Sequence, residues 1–143
     1  MPKITVKTGS WSELKEFSRP IRLSVFVEEQ HVPRTLELDG KDDHYLHVVI
    51  FDNCNTPIAT ARLAKNGKFG RMAVLKKYRQ QGIGAELLIQ LTALAKSLEL
   101  NELFCHAQIS ATNFYKKNGF QIVGKPFEEA RISHIQMTKK LAS

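Results

Sequence analysis

The sequence predicts an α/β fold, a mixed β-sheet with helices on both of its faces. Three observations lead to this prediction. Strand-like and helix-like segments follow one another in the order β-α-α-β-β-β-α-β-α-β-β. Residues 45–51 are apolar on both faces, as a strand at the centre of a covered sheet must be. The chain has 143 residues, the length of one domain, and we assign residues 1–143 to a single domain.

The N-terminal part predicts a strand, helical segments and a polar loop. Residues 4–7 alternate like a short first strand. Ser10 and Glu13 have the spacing of a capping box that opens a helix. Pro20 interrupts the apolar stripe of that helix, so we expect a kink or two short helices. Residues 31–43 are polar and contain Pro and Gly, which indicates a loop.

Three strands are predicted in the middle of the chain. The strand at 45–51 ends in a turn at 52–57, and residues 58–64 form the next strand. Asn66-Gly67 is the strongest hairpin signal in the sequence. It joins that strand to another at 68–75.

The second half alternates between helices and strands. Leucines at helical spacing predict a long helix that begins after residue 82 and ends near residues 98–101. Residues 103–109 read as a strand, and 111–118 as a short helix that Gly119 stops. Two terminal strands complete the order, near 121–124 and 132–141.

Composition narrows the class of protein. No apolar run approaches the roughly 20 residues of a membrane span, and the N-terminus lacks the apolar core of a signal peptide. Cys54 and Cys105 show no metal or redox spacing, so we expect two free thiols, no metal and a cytoplasmic protein.

The net charge of +7 lies on one segment. Between Asp52 and Glu86 there are seven basic residues and no acidic one, while the rest of the chain carries 14 of each sign. A localised excess of this kind suits a polyanionic ligand. No aromatic residues are interleaved with the cations and no helix-turn-helix pattern is present, so we expect no nucleic-acid partner.

The segment Arg79-Gln80-Gln81-Gly82-Ile83-Gly84 lies between a predicted strand and a predicted helix. Free main-chain N–H groups at a helix N-terminus, glycines without Cβ and a cation together favour phosphate binding. Ala85 stands where a P-loop would have Lys, and Leu87 where a dinucleotide fingerprint would have a third glycine. An ordinary helix-start turn remains the alternative on the glycines alone.

Three motifs together resemble the GNAT superfamily of N-acyltransferases. Arg79-x-x-Gly82-x-Gly84 is similar to its acyl-coenzyme A signature. Residues 113–120 resemble its late helix, which presents a Tyr and ends at Gly-Phe, and residues 22–30 resemble the N-terminal helix of a small bacterial subgroup. The resemblance covers nearly the whole chain. It implies a splayed mixed sheet in which the fourth and fifth strands separate.

The resemblance also implies the roles of individual residues. Acetyl-coenzyme A is the implied co-substrate, and Tyr115 the acid that protonates its departing thiolate. Met72 and Val74 line the pantetheine arm, and a free main-chain N–H polarises the thioester carbonyl. The cofactor-binding residues we assign are Met72, Ala73, Val74, Arg79, Gln80, Gln81, Gly82, Ile83, Gly84, Asn113 and Lys116.

The general base is left open. Many members place a carboxylate on the strand before the loop, and residues 68–75 have none. Candidates are Glu29, Glu37, His47, His106, or a water chain to a distant carboxylate. Substrate contacts are assigned to Glu29, Glu37, His106 and Gln108, the last two on one face of their strand. Residues 28–43 hold six acidic side chains, which predicts a cationic acceptor.

The sequence therefore predicts an acetyl-coenzyme A-dependent N-acetyltransferase that acts on a primary amine of a small molecule or peptide. No cysteine is placed as a covalent nucleophile, so direct attack in a ternary complex is expected. The alternative is a non-catalytic acyl-coenzyme A sensor of the same fold. Neither membrane nor nucleic acid is an expected partner, a homodimer is compatible with the sequence, and the acceptor and acyl-chain preference stay open.

Overall fold

Residues 3–142, which the computed structural model describes, form seven strands and four α-helices. Their order agrees with the prediction except for the second helix, which lies within residues 31–43, where a loop was predicted. A π-helical segment, Leu23–Glu29, directly follows the first helix. The bounds are β1 Thr5–Gly9, α1 Trp11–Arg22, α2 Arg34–Glu37, β2 Leu46–Phe51, β3 Pro57–Leu63, β4 Phe69–Val74, α3 Ile83–Ser97, β5 Glu102–Gln108, α4 Thr112–Lys117, β6 Gln121–Glu129 and β7 Ile132–Lys140.

The strands form two antiparallel sheets that meet at one point. One sheet has the order β1-β2-β3-β4, and the other has the order β5-β7-β6. A single parallel bridge between Lys68 and Phe104 joins β4 to β5, where the Phe104 N–H donates to the Gly67 carbonyl at 2.9 Å. Beyond that bridge the two strands separate and form a fork. The predicted mixed sheet is confirmed, with its mixed character confined to this junction.

Helices cover both faces of the first sheet, as predicted. Val48 and Ile50 of β2 belong to the core cluster that contains α3, whereas Val49 and Phe51 belong to the cluster that contains α1. Neighbouring residues of a strand point to opposite faces, so β2 is buried on both sides. The central position inferred for this strand from its composition is confirmed.

Helix α1 begins with the predicted capping box. The Ser10 side chain accepts from the Glu13 N–H, and the Glu13 carboxylate accepts from the Ser10 N–H at 2.9 Å. Pro20 lies within the helix without ending it, and the change in geometry comes at Leu23, where the π-helical segment begins. Within residues 3–142, no helix has the length and hydrophobicity to cross a membrane.

Strand β6 is longer than predicted. It continues to Glu129 because a register shift between Val123 and Phe127 absorbs Gly124, whose φ is +81°, and β6 then pairs again with β7. Bulges and prolines of this kind are tolerated on an edge strand, and β6 is one. The extension brings Glu129 to the fork, which the sequence analysis did not foresee.

Candidate active site

The loop between β4 and α3 presents main-chain N–H groups that lack partners. Gln80 and Gly82 have φ values of +63° and +83°, and Gly82 is the N-cap of α3. The first bond of the helix runs from the Glu86 N–H to the Gly82 carbonyl at 3.1 Å. Within residues 3–142, no N–H from 80 to 85 has a hydrogen-bond partner. This helix start can therefore receive an anion such as a diphosphate.

Arg79 braces this loop. Its Nε donates to the Val74 carbonyl at 2.9 Å, and its Nη2 donates to Glu29 Oε1 at 2.7 Å. Hydrogen bonds from Arg79 lower the pKa of the Glu29 carboxyl. Arg79 thus ties the end of β4 to the end of the π-helical segment, and Glu29 lies at this brace. Direct contacts of Arg79 with phosphate and of Glu29 with substrate stay predictions.

Gly84 has a second role in packing. A Cβ placed on it would lie 3.2 Å from Cζ of Phe114, so the absence of a side chain lets α4 approach the start of α3. The side chain of Ile83 is buried in the core, which leaves only its main chain for a ligand. Asn113 and Lys116 are exposed on α4, and their contacts with coenzyme A stay predictions.

Strand β4 lines one side of the fork. The Leu75 N–H donates to the Ile58 carbonyl at 2.9 Å, so alternation turns the N–H groups of Met72 and Val74 away from β3 and toward the gap. Met72 and Val74 pack against the α3 cluster, whereas Ala73 is buried in the α1 cluster. Ala73 can therefore contribute only main-chain atoms to a ligand in the fork.

A cavity of about 600 Å³ occupies the fork. Its walls come from β4, β5, α4, the π-helical segment, α2 and the turn between β6 and β7. Met72, Tyr115, Glu37, His106 and Gln108 all line it, which brings together residues that the sequence analysis assigned to cofactor, acid and substrate. The cavity is of a size that holds a small ligand.

Tyr115 lies in the wall of this cavity. Its ring packs against Phe69, Phe114 and Phe120 with centroid distances of 6.2, 5.1 and 5.7 Å. Its hydroxyl contacts the Cys105 thiol, and burial followed by this contact raises the pKa of the phenol. Burial also raises the pKa of the Cys105 thiol to about 12. Both groups therefore carry their protons at neutral pH.

Two histidines and a glutamate form the opposite wall. His106 Nδ1 is 3.3 Å from Glu129 Oε1, and His134 Nε2 is 3.9 Å from Glu129 Oε2. Gln108 of β5 pairs in register with His134 of β7, so both point to the same face. Glu129 and His134 were not among the site residues predicted from the sequence. The alternation of His134 and Gln136 with apolar residues could have indicated that β7 presents a polar face here.

Arginines of α1, β3 and β4 form ion pairs with the acidic segment. Arg22 Nε donates to Glu37 Oε1 at 3.0 Å and its Nη1 to Asp42 Oδ1 at 2.7 Å. These pairs belong to a network of three arginines and three carboxylates. Its members are Arg22, Arg62, Arg71, Glu37, Asp39 and Asp42. The expected acidic acceptor end is corrected, because four of the six acidic side chains have cationic partners once the Glu29–Arg79 pair is included.

Ion pairs also engage three of the seven cations in the basic segment. Of the seven cations between Asp52 and Glu86, Arg62, Arg71 and Arg79 form ion pairs with residues outside that segment. Sequence spacing could not show this, because the acidic partners are 20 to 50 residues away along the chain. Lys65, Lys68, Lys76 and Lys77 have no ion-pair partner among residues 3–142.

His47 lies beneath this ion network and predicts a pH-dependent stability. Its Nε2–H donates to the Asp42 carbonyl at 3.0 Å, and its buried Nδ1 has no partner among the described residues. Burial lowers the pKa of His47 from its ordinary 6.5. The unfolded chain therefore takes up the proton first as pH falls, and the free energy of unfolding decreases below about pH 6.5, by at most about 1.4 kcal/mol per pH unit.

Urea unfolding at pH 7.5, 6.5 and 5.5 measures this effect. His47→Gln cannot titrate, so its slope over the acidic part of the range should be shallower than that of the wild type. The network carboxyls of Asp39 and Asp42, whose pKa values are also lowered, lose their contribution only below their ordinary 3.8. Identical slopes in the two proteins would show that His47 is not the titrating group.

Comparisons with known proteins match this arrangement. The profile described as the acetyltransferase (GNAT) domain matches residues 13–141. The Bacillus subtilis protein named uncharacterized N-acetyltransferase YjcF is 34% identical over 123 residues, which cover 83% of this chain and 87% of that protein. A candidate N-acetyltransferase structure from Lactobacillus plantarum superimposes with a TM-score of 0.91 at 26% identity, covering 97% of this chain and 99% of its own.

A solved acyl-CoA N-acyltransferase from Pseudomonas aeruginosa is also similar, with a TM-score of 0.83 at 26% identity and coverage of 96% of this chain and 99% of its own. Fold and site together define an acyltransferase of the α/β class. The chain belongs to the GNAT acetyltransferase family, because the family profile spans most of its length. The resemblance to the GNAT superfamily and the fold class inferred from the sequence are confirmed, and the subgroup indicated by residues 22–30 stays a prediction.

Proposed function

We propose that this protein transfers the acetyl group of acetyl-coenzyme A to a primary amine of a small molecule or peptide. One observation supports the proposal: the start of α3, with its N–H groups unpartnered among the described residues, and the cavity that Tyr115 lines lie at the same fork between β4 and β5. A diphosphate at residues 80–85 lets the pantetheine arm run along β4. The thioester then reaches the N–H groups of Met72 and Val74, which can polarise its carbonyl.

The burial of Cys105 and the position of Cys54 support direct attack by the amine. Cys105 is buried, and burial raises the pKa of its thiol to about 12, so it is a poor nucleophile. Cys54 is exposed in the turn between β2 and β3, away from the cavity residues. The acetyl group therefore passes directly from coenzyme A to the amine within a ternary complex, and no acyl-enzyme forms.

The acceptor enters from the side of the cavity formed by α2, the π-helical segment and the β6–β7 turn. Carboxylates of the acidic segment are occupied by arginines there, which leaves Glu129 as the anionic side chain of the cavity without a basic Arg or Lys partner among the described residues. We therefore expect a single amine rather than a polycation to fit. Phe26, Leu36 and Ile132 supply apolar surface for the rest of the acceptor.

A direct assay tests the function. The wild-type protein is incubated with acetyl-coenzyme A and a panel of spermidine, glycine, lysine, tryptamine and a lysine-containing tripeptide, with free thiol and acetylated product both measured. At least one amine should be acetylated faster than in a protein-free control, and spermidine should not be the best. Tight binding of acetyl-coenzyme A without any product would favour the sensor, which the absence of a carboxylate on β4 also favours.

A further inference from the structure

We propose that His106 is the general base of this site and that Glu129 holds it in position, an inference that rests on the proposed function. A primary amine with a pKa near ~10 is protonated at neutral pH, so it must lose a proton before or during its attack. Strand β4 has no carboxylate to accept that proton. The base must therefore come from another wall of the cavity, and His106 lies in that wall.

The contact with Glu129 defines which imidazole nitrogen is available. His106 Nδ1 lies 3.3 Å from Glu129 Oε1. An ionised carboxylate only accepts hydrogen bonds, so Nδ1 carries the hydrogen and Nε2 carries the lone pair. Among residues 3–142, Nε2 of His106 has no hydrogen-bond partner. A histidine whose second nitrogen is oriented by a carboxylate has the arrangement that a general base needs.

Neighbouring side chains fix the ring. Phe127 of β6 meets His106 edge-on with a centroid distance of 5.0 Å. His134 donates from Nδ1 to the Ile132 carbonyl at 2.7 Å, so its own tautomer is set by the backbone. The other titratable or charged groups of the cavity are Glu37, Tyr45, Arg62, Lys68, Arg71, Cys105 and Tyr115. The carboxylate within hydrogen-bonding distance of His106 is that of Glu129.

The turn that carries Glu129 is a strained one. Ala130 and Arg131 have φ values of +51° and +64°, a conformation that Asn and Gly adopt more readily. Pairing of Glu129 with Ile132 nevertheless closes the hairpin at this point. In this turn the Glu129 carboxylate lies between the two histidines, 3.3 Å from His106 Nδ1 and 3.9 Å from His134 Nε2.

The proposed acid, Tyr115, and the proposed base, His106, lie on opposite faces of β5. Cys105, which contacts the Tyr115 hydroxyl, precedes His106, and adjacent strand residues point to opposite faces. The amine proton passes to Nε2 of His106, the amine lone pair forms the C–N bond, and the C–S bond breaks. The thiolate takes a proton from Tyr115. As the amide forms, the attacking nitrogen loses a second proton, which passes through solvent to the Tyr115 phenolate. Solvent also removes the proton from His106, so one proton is released per turnover.

The experiment compares the wild type with three variants, using the panel amine that gives the highest wild-type rate. His106→Gln should lower kcat/KM about 100-fold, the usual scale for loss of a general base. The fall in rate that the wild type shows toward acidic pH should be absent from this variant. Its affinity for acetyl-coenzyme A should stay within about twofold of the wild-type value. In His106→Ala, added imidazole should restore part of the rate. The matched control is His44→Gln, an exposed histidine outside the cavity, which should behave like the wild type.

A double-mutant cycle tests the role of Glu129. Glu129→Gln alone should lower kcat about tenfold, and in the His106→Gln background it should have no further effect, because it acts through the imidazole. Independent effects that multiply would overturn the positioning role. Unchanged rates and pH profile in His106→Gln would overturn the base while leaving the proposed function intact. A wild type that binds acetyl-coenzyme A but acetylates no amine would overturn both.

Discussion

Gly82→Val is expected to weaken the binding of coenzyme A about 100-fold or more. Gly82 is the N-cap of α3 at a φ of +83°, where a β-branched residue is strained by roughly 1–2 kcal/mol. The loop must shift to relieve that strain, and its N–H groups then lose their common direction. Charge-assisted hydrogen bonds contribute about 1.5–3 kcal/mol each, so the loss of two reduces affinity by at least about two orders of magnitude.

Isothermal titration with coenzyme A measures this loss, and the chain offers a matched control. Gly124 has a φ of +81°, and a Cβ placed on it meets nothing within 4 Å, so Gly124→Val carries the same backbone strain on the β6 edge. It should bind coenzyme A like the wild type. If both variants bind normally, the loop at residues 80–85 is not the diphosphate site.

Tyr115→Phe is expected to lower kcat by roughly 10- to 1000-fold while the affinity for acetyl-coenzyme A stays unchanged. The substitution removes the hydroxyl that contacts the Cys105 thiol and keeps the ring among Phe69, Phe114 and Phe120. Burial raises the pKa of Tyr115, so the phenol keeps its proton across the neutral and mildly alkaline range, as an acid for the departing thiolate must.

Steady-state kinetics with the best panel amine provide the measurement, and Tyr78→Phe is the matched control. Tyr78 donates its hydroxyl proton to Asp52 Oδ2 at 2.8 Å and does not line the cavity, so its loss should leave kcat unchanged. Equal turnover in Tyr115→Phe and the wild type would remove Tyr115 from the chemistry. A fall in both affinity and kcat would indicate that the hydroxyl holds the fork together rather than donating a proton.

Local patterns were sufficient for most of the fold. Ser10 and Glu13 identified the start of α1, Asn66-Gly67 identified the hairpin before β4, and Gly119 identified the end of α4. Each of these signals acts over three or four residues, so the sequence alone contains them. The burial of β2 on both faces could also be predicted, because it requires a continuous apolar segment.

Contacts between residues far apart in the chain could not be predicted from the sequence. Arg22 pairs with Glu37 and Asp42 across 15 and 20 residues, and composition alone suggested an exposed acidic loop instead. Glu129 reaches His106 across 23 residues because a bulge extends β6 beyond its predicted end. Charge and hydropathy patterns do not specify such pairings, since any of several partners satisfies the same local sequence.

The most direct test of the account is a pair of titrations of the wild-type protein, one with coenzyme A and one with pantetheine, which has the same thiol arm but no diphosphate. Main-chain N–H groups at the start of α3 should bind coenzyme A at one molecule per chain, and pantetheine should be at least about 100-fold weaker because it offers them no anion. Equal affinity for the two, or no binding of coenzyme A, would contradict the account.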